Sequence, residues 1–219
     1  PEEVDKLVTL LAIEPEDHVL DCACGPGRHS LELARRGFQV TGIDRTLSYL
    51  SSARQRAIAE GLTAEFFLED IRHFSRPNAF AAAISMYTSF GYFDDPAENR
   101  QVLLNLYQSL KDGGVLLLEL SGKEIIARDF QTRDWLERDG VFMLEERTVV
   151  ADWTRMENRW IVVNQGEINE FRITHWLYSA GELKALLSEC GFQRIAIYGD
   201  LAGAAYDQEA KRLVAVGYK

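Results

Sequence analysis

Asp21-Cys22-Ala23-Cys24-Gly25-Pro26-Gly27 is the stretch on which the reading of this chain turns. It follows a short apolar run, His18-Val19-Leu20-Asp21, that reads as a strand. After it comes a helical pattern from about Arg28 to Arg36, closed by Gly37. A glycine turn between strand and helix is where an open α/β sheet brings its backbone against a ligand. Gly25 and Gly27 let the chain turn tightly with no Cβ in the way. The start of the next helix offers free N–H groups to a carboxylate. Asp21 stands beside the turn, where an acid repels phosphate and suits an ammonium group.

Outward from the turn, strands and helices alternate. Strand Phe38–Ile43 delivers Asp44 at its end, and a helix over Thr46–Glu60 is closed by Gly61. Strand Ala64–Leu68 delivers Glu69 and Asp70. Strand Ala79–Ser85 leads into an aromatic loop, Met86–Phe93, and a helix spans about Ala97–Leu110. The turn Lys111-Asp112-Gly113-Gly114 then opens the apolar strand Val115–Leu120. Apolar strands separated by helices predict a parallel sheet covered on both faces. Upstream, Val4, Leu7, Val8 and Leu11 have helical spacing.

The rhythm then changes. Segments 141–150, 155–164 and 167–178 alternate like strands with no helix between them, so a three-stranded antiparallel insertion is expected within 123–178. The α/β pattern resumes with helix Ala180–Glu189, strand Phe192–Tyr198 and a last strand near Arg212–Tyr218. Residues 1–219 are expected to form one domain, with the insertion roofing a site or pairing two subunits. The chain reads as a monomer or a homodimer.

At 219 residues and 47% hydrophobic, the chain is long enough for one well-cored domain. Its net charge of −10 and the lack of a basic run argue against a nucleic-acid partner. No apolar run reaches a membrane span, and no signal peptide is evident. Three cysteines and four histidines show no ligand spacing, so neither a metal site nor a disulfide framework is expected. Reduced thiols in a cytoplasmic protein is the simpler reading. The sequence opens on Pro1 rather than Met, which leaves room for a preceding segment.

Asp44 lies 17 residues past Gly27, placed to accept both hydroxyls of a ribose. A dinucleotide fingerprint needs a third glycine, and Ser30 stands there instead. The pattern D-x-A-x-G-x-G, followed by an acid at the end of the second strand, resembles motifs of class I S-adenosylmethionine-dependent methyltransferases. Leu68-Glu69-Asp70-Ile71 resembles that family's segment whose acid meets the adenine amino group and whose next residue packs on the ring. Leu110-Lys111-Asp112-Gly113-Gly114 resembles its turn before the fifth strand. The resemblance covers about residues 5–120 and 180–219. It departs at Ala23, where the stricter pattern has glycine. Alanine is a mild change there if the backbone stays near the β region.

The resemblance implies a Rossmann-like, seven-stranded, mostly parallel sheet with an antiparallel last strand. It implies S-adenosylmethionine as cofactor and S-adenosylhomocysteine as product. The residues it points to for the cofactor are Asp21, Ala23, Cys24, Gly25, Gly27, Arg28, Asp44, Arg45, Asp70, Ile71 and Met86. It implies methyl transfer by in-line displacement to a small-molecule acceptor at N or O, with no metal. Aligning the acceptor then carries most of the catalysis.

Aromatic residues in the strand-4 loop can surround a cation, which makes Tyr87 and Tyr92 candidates. Arg172, His175, Trp176 and Tyr178 lie on a strand leading back toward the sheet, and His175 is the candidate base. The layout is similar to glycine N-methyltransferase and the sugar-amine N-methyltransferases. Two other readings are a non-catalytic S-adenosylmethionine-binding domain and an aminopropyl transferase. A short-chain dehydrogenase is suggested only by Tyr107-x-x-x-Lys111, and it lacks the phosphate-binding turn.

Overall fold

A computed structural model describes residues 1–219. Helix α1 (Glu2–Leu11) precedes β1 (His18–Cys22), α2 (Arg28–Arg35), β2 (Gln39–Asp44), α3 (Leu47–Glu60), β3 (Ala64–Leu68) and β4 (Phe80–Ser85). Then come α4 (Pro96–Ser109), β5 (Leu110–Leu120), α5 (Lys123–Asp129), β6 (Arg133–Arg138), β7 (Val141–Val150), β8 (Arg155–Asn164) and β9 (Glu167–Trp176). Helix α6 (Ala180–Glu189), β10 (Gln193–Tyr198) and β11 (Leu213–Tyr218) complete the chain.

Seven strands form the main sheet in the order β10-β11-β5-β4-β1-β2-β3. Only β11 runs antiparallel, against β5 and β10. The order reverses between β1 and β4, which opens a crevice at their carboxyl ends.

The strands sort their side chains by alternation onto two cores. Leu116, Leu118 and Leu120 of β5 join Leu213 and Ala215 of β11 beneath α4 and α6. Val115 and Leu117 join Val214 and Val216 beneath α1 and α2. Each fully buried leucine is worth about 1.5–3 kcal/mol, so these faces hold the sheet flat under its helices.

The insertion departs from expectation. It is a separate sheet of four strands, β6-β7-β8-β9, entered through the short helix α5. The added strand, Arg-Asp-Trp-Leu-Glu-Arg, is exposed at every position. With no buried face it has no alternating apolar pattern to read. It is a strand because its backbone pairs with β7 from Arg133↔Glu146 to Arg138↔Val141. The turn at Lys111–Gly114 is also different: β5 begins at Leu110, pairs there with Phe80, and bulges before resuming at Val115.

Candidate active site

The first turn after β1 is shaped by contacts to neighbouring strands. Cys24 N–H donates to the Ile43 carbonyl at 2.9 Å, which pulls the chain sideways at Ala23. Ala23 takes φ +60° as a result, not the β region expected of it. A left-handed alanine costs about 1–2 kcal/mol, strain held at the ligand edge. Gly27 is required on two counts. Its φ is +78°, and a Cβ there would lie 2.9 Å from Ala53 Cβ and 3.2 Å from the Phe66 ring.

Asp44 braces the same turn. Its Oδ2 accepts from Gly25 N–H and its Oδ1 from Thr46 N–H, both at 2.8 Å. A carboxylate has about four lone-pair sites, so each oxygen keeps capacity for one ribose hydroxyl. The free acceptor sites therefore fit a nucleoside.

The other two acids are already engaged. Asp21 is 2% exposed and turned toward the start of α2, where Ser30 N–H donates to it at 3.1 Å and the Ser30 hydroxyl donates as well. Burial pushes its pKa up. Both bonds fall on Oδ2, and no protein donor reaches Oδ1. Asp70 is held by Arg72 through Nε, Nη2 and the backbone N–H, at 2.6–3.1 Å. The Arg72 guanidinium lowers its pKa to about 2. Arg72 also bonds Glu98 and covers the Phe93 ring.

A cavity of about 630 Å³ opens at the carboxyl ends of β1, β2 and β3. Of the sequence candidates, Ala23, Asp44, Arg45, Asp70, Ile71 and Tyr92 line it. Asp21, Cys24, Gly25, Gly27, Arg28 and Met86 do not. Cys24 and Met86 are buried, Met86 in the core beneath α1 and α2. Arg28 lies 4.2 Å over the Tyr87 ring. Wall residues that sequence reasoning missed include Thr46, Tyr49 and Asp94, while Ser89 and Phe93 belong to the aromatic loop it singled out. Tyr49 had a readable signal, an aromatic on the first turn of the helix after Asp44.

The insertion supplies the opposite wall through Arg172, Ile173 and Thr174 of β9. Trp176 fastens it there: its Nε1 donates to the Phe93 carbonyl at 2.7 Å and its backbone N–H to Gly91 at 2.8 Å. Arg155 pairs with Asp94 close by.

A second cavity of about 390 Å³ lies between this sheet and the loop after β4. Tyr87, Tyr92 and His175 line it, with Tyr92 and Ile173 common to both cavities. Tyr87 has φ +56° and is pinned by Glu119 Oε2, which accepts from its N–H at 2.6 Å. Its hydroxyl donates to Glu3 of α1 at 2.7 Å. His175 is 6% exposed, and burial lowers its pKa to about 4. A ring that resists protonation this strongly is a weak base at neutral pH.

Residues 19–114 match the family model described as a methyltransferase domain. A solved S-adenosylmethionine-dependent methyltransferase from Clostridium acetobutylicum superposes with a TM-score of 0.82 at 17% identity, covering 99% of this chain and 90% of that one. Residues 19–114 thus carry a methyltransferase domain, on a class I, Rossmann-like fold. Among relatives of this methyltransferase, a glycine/sarcosine N-methyltransferase from Aphanothece halophytica is 27% identical, over 83% of this chain and 68% of its own. The dTDP-3-amino-3,4,6-trideoxy-alpha-D-glucopyranose N,N-dimethyltransferase of Streptomyces venezuelae is 26% identical, over 84% and 79%. No helix of the methyltransferase is long and apolar enough to cross a membrane.

Proposed function

We propose that this methyltransferase acts on a nitrogen of a small-molecule amine, with the cofactor in the larger cavity and the acceptor in the smaller one. The observation that carries this is the shared wall: Tyr92 and Ile173 line both cavities, so ligands in the two would meet there. Both relatives above are N-methyltransferases by name. S-adenosylmethionine, when bound, supplies a methyl carbon on a positively charged sulfur.

The chain's own residues do the rest. Asp44 takes the ribose, the Asp70–Ile71 edge takes the adenine, and the aromatic loop excludes water from the point of transfer. Residues 1–219 act as one domain, with 123–178 as the roof of the acceptor site. Proximity and alignment of this kind supply up to about 7–11 kcal/mol in favourable cases. A neutral amine carries its own lone pair, so turnover needs no protein base.

The test is transfer of a labelled methyl group from S-adenosylmethionine to a panel of small amines, with alcohols alongside and decarboxylated S-adenosylmethionine as a second donor. Label on an amine nitrogen is expected. Label appearing only on alcohols overturns the choice of nitrogen. Transfer of an aminopropyl group alone overturns methylation. Tight S-adenosylhomocysteine binding with no transfer to any acceptor makes the protein a binding domain.

A further inference from the structure

The second cavity holds one polar group whose role methyl transfer leaves open. His175 lines it and is almost wholly buried. Asn158, 7% exposed, places its amide nitrogen 3.2 Å from His175 Nδ1. An amide NH₂ only donates, so Nδ1 is the acceptor and the ring proton sits on Nε2. Nε2 makes no hydrogen bond within the protein and is not sealed from solvent, so it opens onto the cavity. An N–H donor open to the cavity is free to bond an acceptor atom on a ligand.

The charges around it narrow the ligand further. Arg147, the one arginine of this cavity, is paired closely with Glu145 and lies 4.0 Å from Asp134. Asp129 is paired with Arg128 at 2.6 Å. Every formal charge on the wall is thus answered within the protein, and an incoming carboxylate would find no free cation. Burying an unpaired carboxylate is strongly unfavourable. A hydroxyl or ether oxygen accepts one hydrogen bond from Nε2 and carries no such penalty. The Tyr92 ring, on the wall common to both cavities, lies 5.5 Å from the His175 ring. An oxygen held by His175 therefore lies beside the wall common to both cavities.

Resting on the reading of this cavity as the acceptor site, we propose that His175 donates Nε2–H to an oxygen of the acceptor, which is a hydroxylated amine without an anionic group in this cavity. His175 is a positioning residue, fixed in its tautomer by Asn158. Among amines, this selects an amino sugar over an amino acid such as glycine.

The chain has only four histidines, so ¹⁵N-histidine labelling of the full chain, saturated with S-adenosylhomocysteine, isolates the ring. The His175→Gln spectrum assigns its signals. Long-range ¹H–¹⁵N correlation is expected to show the proton on Nε2, unchanged between about pH 8 and about pH 5. Titration with 3-amino-3-deoxy-D-glucose is expected to shift Nε2, while glycine at equal concentration leaves it still. Asn158→Asp, whose carboxylate accepts from Nδ1–H, is expected to move the proton to Nδ1 and reduce the sugar's effect tenfold or more.

A proton on Nδ1 in the wild type overturns the tautomer and the proposal with it. A glycine shift at or below the sugar concentration, or no sugar shift at all, overturns the ligand class. These readouts need no turnover, so a failure to methylate amines leaves them decisive on their own.

Discussion

Replacing Asp44 by alanine tests the dual use of one side chain, as brace of the glycine turn and as holder of the ribose. Each carboxylate oxygen accepts a backbone N–H at 2.8 Å, from Gly25 and from Thr46. A hydrogen bond to a charged group contributes about 1.5–3 kcal/mol net, so the pair contributes about 3–6 kcal/mol. Thr46 lines the cavity and Gly25 is half-buried, so water reaches both N–H groups once the carboxylate is gone. That places the expected loss at the low end, about 3 kcal/mol, read as a lower urea midpoint at constant slope. Cofactor binding suffers separately. Losing the ribose contacts costs about 1–3 kcal/mol, so calorimetry should show S-adenosylhomocysteine binding about 5- to 150-fold weaker. At a hundredfold excess over its Kd, this ligand stabilises the wild type by about 2.7 kcal/mol, and the same concentration should stabilise the variant less. An alanine variant with wild-type midpoint, or with wild-type affinity, refutes this account of Asp44.

Two further outcomes follow from the same geometry. Gly27→Ala adds left-handed strain to a Cβ contact of 2.9 Å with Ala53 and should cost about 2–5 kcal/mol. Gly25→Ala, at φ +53° with no atom within 4 Å of its Cβ, should cost only about 1–2 kcal/mol; equal urea midpoints for the two variants would contradict the close-approach argument. The second outcome concerns pH. Burial lowers His175 to about 4, below the ordinary histidine value, so between the two the unfolded chain binds a proton that the folded chain does not. The stability this ring permits is full above about pH 6.5 and is lost as pH falls toward 4, by up to about 3 kcal/mol. Denaturation across that window should be steeper for wild type than for His175→Phe, and parallel curves would show that His175 does not titrate this way.

Local pattern carried a great deal of this protein. The strand–turn–helix at residues 18–36 and the acids ending the next two strands were legible, because they rest on side-chain periodicity and on glycines placed at turns; the antiparallel last strand came only with the family resemblance. Asp44 was legible for the same reason: it closes an apolar strand at a set distance from the turn. What the sequence hid was the state of each polar group. Asp21 and Asp70 look alike as strand-end acids, yet Ser30 takes one and Arg72 the other. Those engagements depend on how α2 and the segment after β3 come to rest.

The fourth strand of the insertion was illegible too, since an edge strand exposed on both faces has no buried alternation and is set by its pairing with β7. The second cavity needed the whole fold. It exists because Trp176 ties the insertion to Phe93, a hydrogen bond spanning 83 residues. Sequence spacing therefore reached the strand-end residues of the larger cavity, Ala23, Asp44 and Asp70, each of which ends or follows a strand of the main sheet. The second cavity is made of residues brought together only by packing, and tertiary structure alone decided it.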